Sequence, residues 1–158
     1  MIRRRRLHGA VLFSAGWVLL IVLALLARSH AGVAEPSAAE VCASPPVLQH
    51  SGGISLVPDA MAAFHKAERL AGRTIHVVQS YRSCADQRLA CQRICGDAGG
   101  CPGTCAPAGL SWHNRGEAVD LATSSLHDPR VVSAMRTAGW CESVPDNDPG
   151  HFSFGGCH

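Results

Sequence analysis

Apolar residues recur every three or four positions in residues 58–71 and again in 129–138, which predicts two amphipathic helices. A proline opens each of these stretches and a glycine follows it, as expected for helix starts and stops. A third helix is predicted over residues 84–94, because Ser83 can cap its first turn and Gly96 follows its last. The chain therefore carries three helix signals, each with a defined start and end.

Short β-branched or alternating stretches predict three strands, at residues 74–78, 117–120 and 150–154. In the last of these, two phenylalanines fall on the face that can enter a core, whereas His151 falls on the opposite face. Together the signals predict an α+β domain in which two or three helices pack on a small antiparallel sheet.

The N-terminal part of the chain has the pattern of an export segment. Arginines at positions 3–6 precede an uncharged apolar run of 18 residues, from Ala10 to Ala27. This order predicts a signal peptide or an uncleaved signal anchor in residues 1–31. Residues 32–50 are rich in Ala, Ser and Pro and are interpreted as a linker, so residues 51–158 form the predicted functional domain. The positive-inside rule places that domain outside the cytoplasm, either secreted or held at the membrane by the anchor.

The net charge of the chain is +2, but its positive sign comes from the export segment. Residues 1–31 hold five arginines and no acid, which leaves nine Lys and Arg against twelve Asp and Glu, or −3, for the remainder. This balance provides no basic footprint, so we expect no nucleic-acid partner.

All eight cysteines lie in the part expected to be exported. An even count in an oxidising compartment predicts structural disulfides, and Cys157 is near enough to bridge Cys141. The alternative is a second zinc site. Its ligands would be Cys91, Cys95, Cys101 and Cys105. The glycine-rich stretch 96–109 cannot be regular structure, and we interpret it as a disulfide-pinned loop that could form a wall of a cleft.

A histidine and an aspartate seven positions apart, His113 and Asp120, are the first candidates for a metal site. Imidazole and carboxylate are good zinc ligands, but this spacing does not place them on one helix face. It suits a tight turn at Gly116 that feeds a strand, where Ala118 and Asp120 share one side and leave room beside the ligand. A third ligand must come from elsewhere, and His151 in the last predicted strand is the best candidate.

Three motifs surround these candidates. Residues 79–83 read QSYRS and are followed by Gln87, residues 111–120 read SWHNRGEAVD, and residues 148–151 read DPGH. They resemble, in the same order, motifs of the VanY-type zinc D-alanyl-D-alanine carboxypeptidases, where SxHxxGxAxD and Glu-Pro-Trp-His are typical. That family also includes D,D-dipeptidases and L-alanyl-D-glutamate endolysins. The resemblance covers about residues 55–155, with an aspartate in place of the commoner glutamate and a glycine in place of the tryptophan.

The resemblance implies a role for each matching side chain. One Zn²⁺ per chain would be bound by His113, Asp120 and His151. Asp148 would act as general base, with Glu142 and Asp146 as reserves, and Arg82 would stabilise the oxyanion that develops at the scissile carbonyl. The implied substrate contacts are Ser80, Tyr81, Gln87 and Ser111. Either serine could instead be a local backbone partner.

The function implied by this resemblance is zinc-dependent hydrolysis of peptidoglycan stem peptides, with the cut between two terminal D-alanines. One alternative is an endopeptidase that cuts inside the stem, at a bond of the L-alanyl-D-glutamate type. The other is a catalytically silent zinc-containing domain that binds wall fragments or a protein partner. We expect a monomer whose contact with the membrane, if the export segment is not cleaved, is made by that segment.

Overall fold

The computed structural model of the chain describes residues 35–102, 104–144 and 147–156. The predicted export segment in residues 1–31 lies outside these ranges, and so do Asp146 and Cys157. Within the described ranges, every helix is too short or too polar to cross a membrane.

Helices and short strands alternate irregularly along the described residues. The helices are α1 (Ala38–Ala43), α2 (Pro58–Ala71), α3 (Cys84–Cys95), α4 (Trp112–Arg115), α5 (Thr123–Leu126) and α6 (Pro129–Thr137). The strands are β1 (Gln49–Ser51), β2 (Ile54–Leu56), β3 (Val77–Gln79), β4 (Ala118–Leu121), β5 (Trp140–Glu142) and β6 (His151–Phe154). The predicted α+β class with antiparallel strands is confirmed.

The central sheet has four strands in the order β3-β4-β6-β5, and every neighbouring pair is antiparallel. β4 and β6 occupy the middle, where Asp120 pairs with His151 and Val119 pairs with Phe152. Because side chains alternate across a strand, this register sends one pair to each face of the sheet. A separate hairpin joins β1 to β2.

The hydrophobic core lies between the sheet and the helices α2 and α6. Phe152 and Val119 are fully buried in it, together with Phe64 of α2 and Trp140 of β5. The rings of Phe64 and Trp140 meet edge to face, with centroids 6.3 Å apart. Burying an aromatic or aliphatic side chain of this size stabilises a fold by about 1.5–3 kcal/mol. This core therefore fixes β4 and β6, whose opposite face carries Asp120 and His151.

The three predicted helices are confirmed. Gly72 and Gly96 follow α2 and α3 in the left-handed conformation, at φ 66° and 73°. The side chain of Ser83 accepts a hydrogen bond from the Asp86 amide at the start of α3, and Asp128 caps α6 in the same manner. Local capping signals thus determine the helix ends.

Several local details differ from the sequence-based expectations. β3 begins three residues later than the predicted strand, because the amides of Ile75 and His76 donate to the side chains of Glu68 and Ser125 rather than to a neighbouring strand. The segment interpreted as a linker contains α1 and the start of β1. The predicted tight turn at Gly116 is present, but the residues before it form the one-turn helix α4.

Disulfides staple the fold as predicted. Among the described residues Cys42 is bonded to Cys84, which ties α1 to the start of α3. The other two described bridges are Cys91–Cys105 and Cys95–Cys101. These two bridges exclude the alternative four-cysteine zinc site, because all four sulfurs are covalently paired. Cys141 is also disulfide-bonded, and its expected partner Cys157 lies outside the described residues.

Candidate metal centre

His113 is presented by the one-turn helix α4 and is almost fully buried, with 4% of its surface exposed. Gly116 ends this helix with φ 71°, and its amide donates to the carbonyl of His113. The Nδ1 atom of His113 lies 2.6 Å from the backbone carbonyl of Ser80. A carbonyl can only accept, so Nδ1 carries the proton and Nε2 keeps its lone pair for a ligand.

Asp120 and His151 face His113 from the central strands β4 and β6. The Nε2 atom of His113 lies 3.2 Å from Asp120 Oδ1 and 3.1 Å from His151 Nδ1. His151 Nδ1 lies 2.9 Å from Asp120 Oδ1. In a tetrahedral zinc site with bonds of about 2.0–2.1 Å, neighbouring ligand atoms are separated by about 3.3 Å. The three donors therefore have the chemistry and the spacing of one face of such a site, and they form a group that could hold a metal ion.

The electrostatics of the cluster keep Asp120 ionised. Burial would raise the pKa of this carboxyl, but its close contacts with the imidazoles of His113 and His151 outweigh burial and hold the pKa well below its usual range. A carboxylate that stays ionised at neutral pH is ready to bind a cation without first losing a proton.

The three side chains lie on the wall of a cleft of about 670 Å³. The cleft is also lined by the cysteine-rich loop predicted from the sequence, through residues 99–102 and 104–107. Three exposed aliphatic residues, Ile94, Leu110 and Val144, add an apolar surface to the cleft. A cleft of this volume with few charged groups is typical of a site for a small molecule or a short peptide segment.

Arg82 lies in the same cleft and is held from several sides. Its Nη1 atom donates to Gln87 Oε1 at 2.8 Å, and its Nη2 atom donates to Gln79 Oε1. Its backbone amide donates to the carbonyl of His113 at 3.1 Å, so Arg82 is bonded directly to one of the three candidate ligands. Partial burial lowers the pKa of Arg82 and the attraction of Asp120 opposes this, but a guanidinium remains charged at working pH.

The residues predicted to contact substrate occupy different positions. Ser111 and Gln87 line the cleft with Arg82, and the side chain of Ser111 makes no capping bond to α4. The hydroxyl of Ser80 instead accepts from the Ser55 amide at 3.0 Å, while its carbonyl orients His113. The Ser80 hydroxyl therefore has a backbone partner on β2, 25 positions away along the chain. Tyr81 is half-buried and its amide donates to the Ser55 carbonyl.

Asp148 also lines the cleft, in an exposed turn directly before β6. Its backbone is fixed on both sides, because its amide donates to Val144 at 2.7 Å and its carbonyl accepts from His151 at 3.1 Å. Of the two reserve carboxylates, Glu142 lies on β5 and forms an ion pair with Arg136 of α6. The other, Asp146, lies outside the described residues.

Two residues that support the site were missed in the sequence. Gln79 binds the guanidinium of Arg82, and Asn114 binds its backbone carbonyl through Nδ2 at 2.7 Å. Asn114 also accepts from the Gly109 amide at 2.8 Å and is 2% exposed. Both residues stand inside the quoted motifs, so their position next to His113 and Arg82 was the available signal.

The α+β fold thus carries a His, Asp and His group that could hold a metal ion, in the same cleft as an arginine. Comparison with solved structures shows which proteins share this fold. The chain is similar to VanYB in complex with D-Alanine-D-Alanine, with a TM-score of 0.54 and 16% identity over 80% of this chain and 82% of that chain. It is also similar to a mutant of the vancomycin resistance D,D-pentapeptidase VanY from a VanB-type resistance cassette in complex with Zn(II). There the TM-score is 0.49, at 21% identity over 69% of this chain and 78% of that chain. Neither a protein-family model nor a curated protein matches the chain. The predicted resemblance to VanY-type proteins is confirmed for the fold.

Proposed function

We propose that the chain is a zinc-dependent hydrolase of peptidoglycan stem peptides, and that its reaction is removal of the terminal D-alanine from a D-Ala-D-Ala end. The observation that carries this proposal is the convergence of His113, Asp120 and His151 in one cleft with Arg82 and Asp148. Two imidazoles and one carboxylate are a ligand set that leaves a fourth zinc position open in hydrolases. The D-Ala-D-Ala bound to VanYB is consistent with this substrate.

His113, Asp120 and His151 would hold the metal through Nε2, Oδ1 and Nδ1. A zinc ion in such a site polarises the substrate carbonyl and lowers the pKa of a bound water to about 7. The hydrogen bond from His113 Nδ1 to the Ser80 carbonyl prevents this ring from turning, so the lone pair of Nε2 stays directed at the metal position.

Asp148 is the proposed general base. Its carboxylate takes a proton from the attacking water while the water oxygen bonds to the peptide carbonyl carbon. When the carbon–nitrogen bond then breaks, the same carboxyl passes the proton to the leaving amine. Its exposed position on the cleft wall supports this role.

Arg82 is proposed to face the scissile carbonyl oxygen. Negative charge develops on that oxygen during attack, and a guanidinium that is already fixed in place stabilises it. The two glutamines that hold Nη1 and Nη2 support this role, because they fix the direction of the guanidinium.

A stem endopeptidase is the second candidate, and one observation favours it. Arg82 is the single Lys or Arg among the described residues that line the cleft. If it serves the carbonyl oxygen, no second lysine or arginine on this wall is left to pair with the terminal carboxylate of a carboxypeptidase substrate. An endopeptidase substrate has no such carboxylate near the cut.

The proposed place of action is outside the cytoplasmic membrane, with the predicted export segment as the route there. The disulfides support this, because such bonds persist in oxidising compartments. The proposed state is a monomer, with stem peptides as the partner.

The test of the proposed function is release of free D-alanine from a D-Ala-D-Ala-terminated peptide by zinc-loaded protein. A preparation stripped with chelator and then reloaded with zinc provides the control for metal dependence. Release that stops on chelation and returns with zinc supports a zinc hydrolase. Zinc-loaded protein that cleaves no bond of a stem peptide supports the silent binding domain instead.

A further inference from the structure

Gln87 has a buried side-chain amide next to Arg82, and both ends of this amide form hydrogen bonds. It lies on α3 with 2% of its surface exposed. Its Oε1 atom accepts from Arg82 Nη1, and its Nε2 atom donates to the carbonyl of Ala106, both at 2.8 Å. A buried amide that lost either partner would be left with an unsatisfied polar group, so both ends of this side chain are fixed.

The group that Gln87 donates to is itself clamped. Ala106 follows Cys105, which is bonded to Cys91 one helical turn after Gln87 on the same helix. The Nε2 atom of Gln87 also lies 3.6 Å and 3.5 Å from the sulfurs of Cys91 and Cys105. The disulfide therefore holds the loop carbonyl at a fixed distance from α3, and the amide of Gln87 fills the space between this carbonyl and the guanidinium.

We infer that Gln87 is a positioning residue for Arg82, with the disulfide-pinned loop as its support, rather than a substrate contact. This inference rests on the proposed function, in which the guanidinium must point at the scissile carbonyl oxygen. A guanidinium is stabilising there only if it is held in place before the charge develops, and displacements of about 1 Å can lower rates by about 100-fold. The loop would then set the reactivity of the cleft as well as its shape.

The test is a double-mutant cycle on the zinc-loaded full chain. Gln87→Leu keeps a similar volume and removes both hydrogen bonds, and we expect it to lower kcat by about 10–100-fold with little change in KM. In an Arg82→Ala background the same substitution should lower kcat no further, because the residue it orients is gone. Gln92→Leu, on the exposed side of the same helix, is the matched control and should leave kcat unchanged.

An equal loss in both backgrounds, or no loss in either, overturns the positioning role. Zinc content measured on each preparation identifies losses that come from a damaged metal site. If Gln87→Leu does not fold, Gln87→Met removes the same two hydrogen bonds with a more adaptable side chain.

A second readout does not depend on activity. Nitrogen NMR of the arginine side chains should show a slowly exchanging guanidinium signal that is absent in Arg82→Ala. We expect this signal to broaden or shift in Gln87→Leu and to persist in Gln92→Leu. A signal unchanged in Gln87→Leu overturns the inference. A wild type that cleaves no stem peptide, but whose Arg82 signal depends on Gln87, refutes the proposed function and still supports the positioning.

Discussion

Replacing Asp148 by alanine should remove turnover and leave the metal in place. The carboxylate lies on the cleft wall but outside the cluster of His113, Asp120 and His151, whose ligand atoms all lie within 4.8 Å of one another. Its backbone bonds to Val144 and His151 do not involve the side chain, so the turn should keep its shape. The substitution therefore removes the proposed proton acceptor with little other change.

The size of the effect follows from the role of a general base. Proton transfer by a positioned side chain contributes about 10²–10⁴-fold, which is about 3–5 kcal/mol of activation free energy. We expect a loss of kcat in this range for Asp148→Ala. Asp148→Glu should retain part of the activity, because it keeps the carboxylate and glutamate is the commoner residue in the resembling motif.

The assay is D-alanine release from a D-Ala-D-Ala-terminated peptide, with zinc quantified on the same preparations. Asp59→Ala, which removes an exposed carboxylate at the start of α2, is the matched control and should retain both zinc and rate. An active wild type whose Asp148→Ala variant keeps full zinc and full rate would refute the assignment and place the base elsewhere.

Three further predictions concern the zinc ligands, the turn at Gly116 after His113, and the cysteines. His151→Ala should abolish stoichiometric zinc whereas His76→Ala, an exposed histidine outside the cluster, should not; metal analysis that finds full zinc in His151→Ala would contradict the ligand set. Gly116→Ala should lower the free energy of unfolding by more than Gly72→Ala. Both positions need positive φ, at a cost of about 1–2 kcal/mol. At Gly116 the new Cβ would also lie 3.2 Å from the backbone nitrogen of Val57 and 2.8 Å from the end of the Leu48 side chain, whereas at Gly72 it would meet nothing within 4 Å. Denaturant unfolding measures both, and equal losses would refute the proposed crowding. Thiol titration of the oxidatively folded, denatured protein should detect no reactive thiol, and four reactive thiols would contradict the observed bridges.

Local signals were sufficient for the long helices and for the ligand candidates. Proline and glycine bound α2 in the sequence as they do in the structure. The spacing of His113 and Asp120 suggested two ligands on a tight turn and the strand that follows it, and the resemblance to VanY-type motifs implied His151 as the third. In the structure His151 is supplied by β6, the antiparallel neighbour of β4.

Two missed elements also carry local signals. Ser37 and Glu40 form a reciprocal capping box at the start of α1. The Gly52-Gly53 pair forms the two-residue turn between β1 and β2, a strong hairpin signal. Both elements are short and their apolar periods are weak, so composition favoured a linker.

The long-range contacts that support Arg82 could not be predicted, because they join distant parts of the chain. Asn114 binds the backbone of Arg82 across 32 positions, and Gln87 binds Ala106 across 19. Sequence spacing indicates which residues share a face of one element, but it does not indicate which loop will pack over that face.

The most direct test of the central claim is mass spectrometry of a defined muropeptide with a D-Ala-D-Ala-terminated pentapeptide stem, incubated with the zinc-loaded full chain. We expect a product lighter by one alanine residue, and this product should be absent after chelation. A stem peptide cut at an internal bond would instead support the endopeptidase candidate. An unchanged muropeptide, from protein shown to carry one zinc per chain, would contradict the proposed hydrolase function.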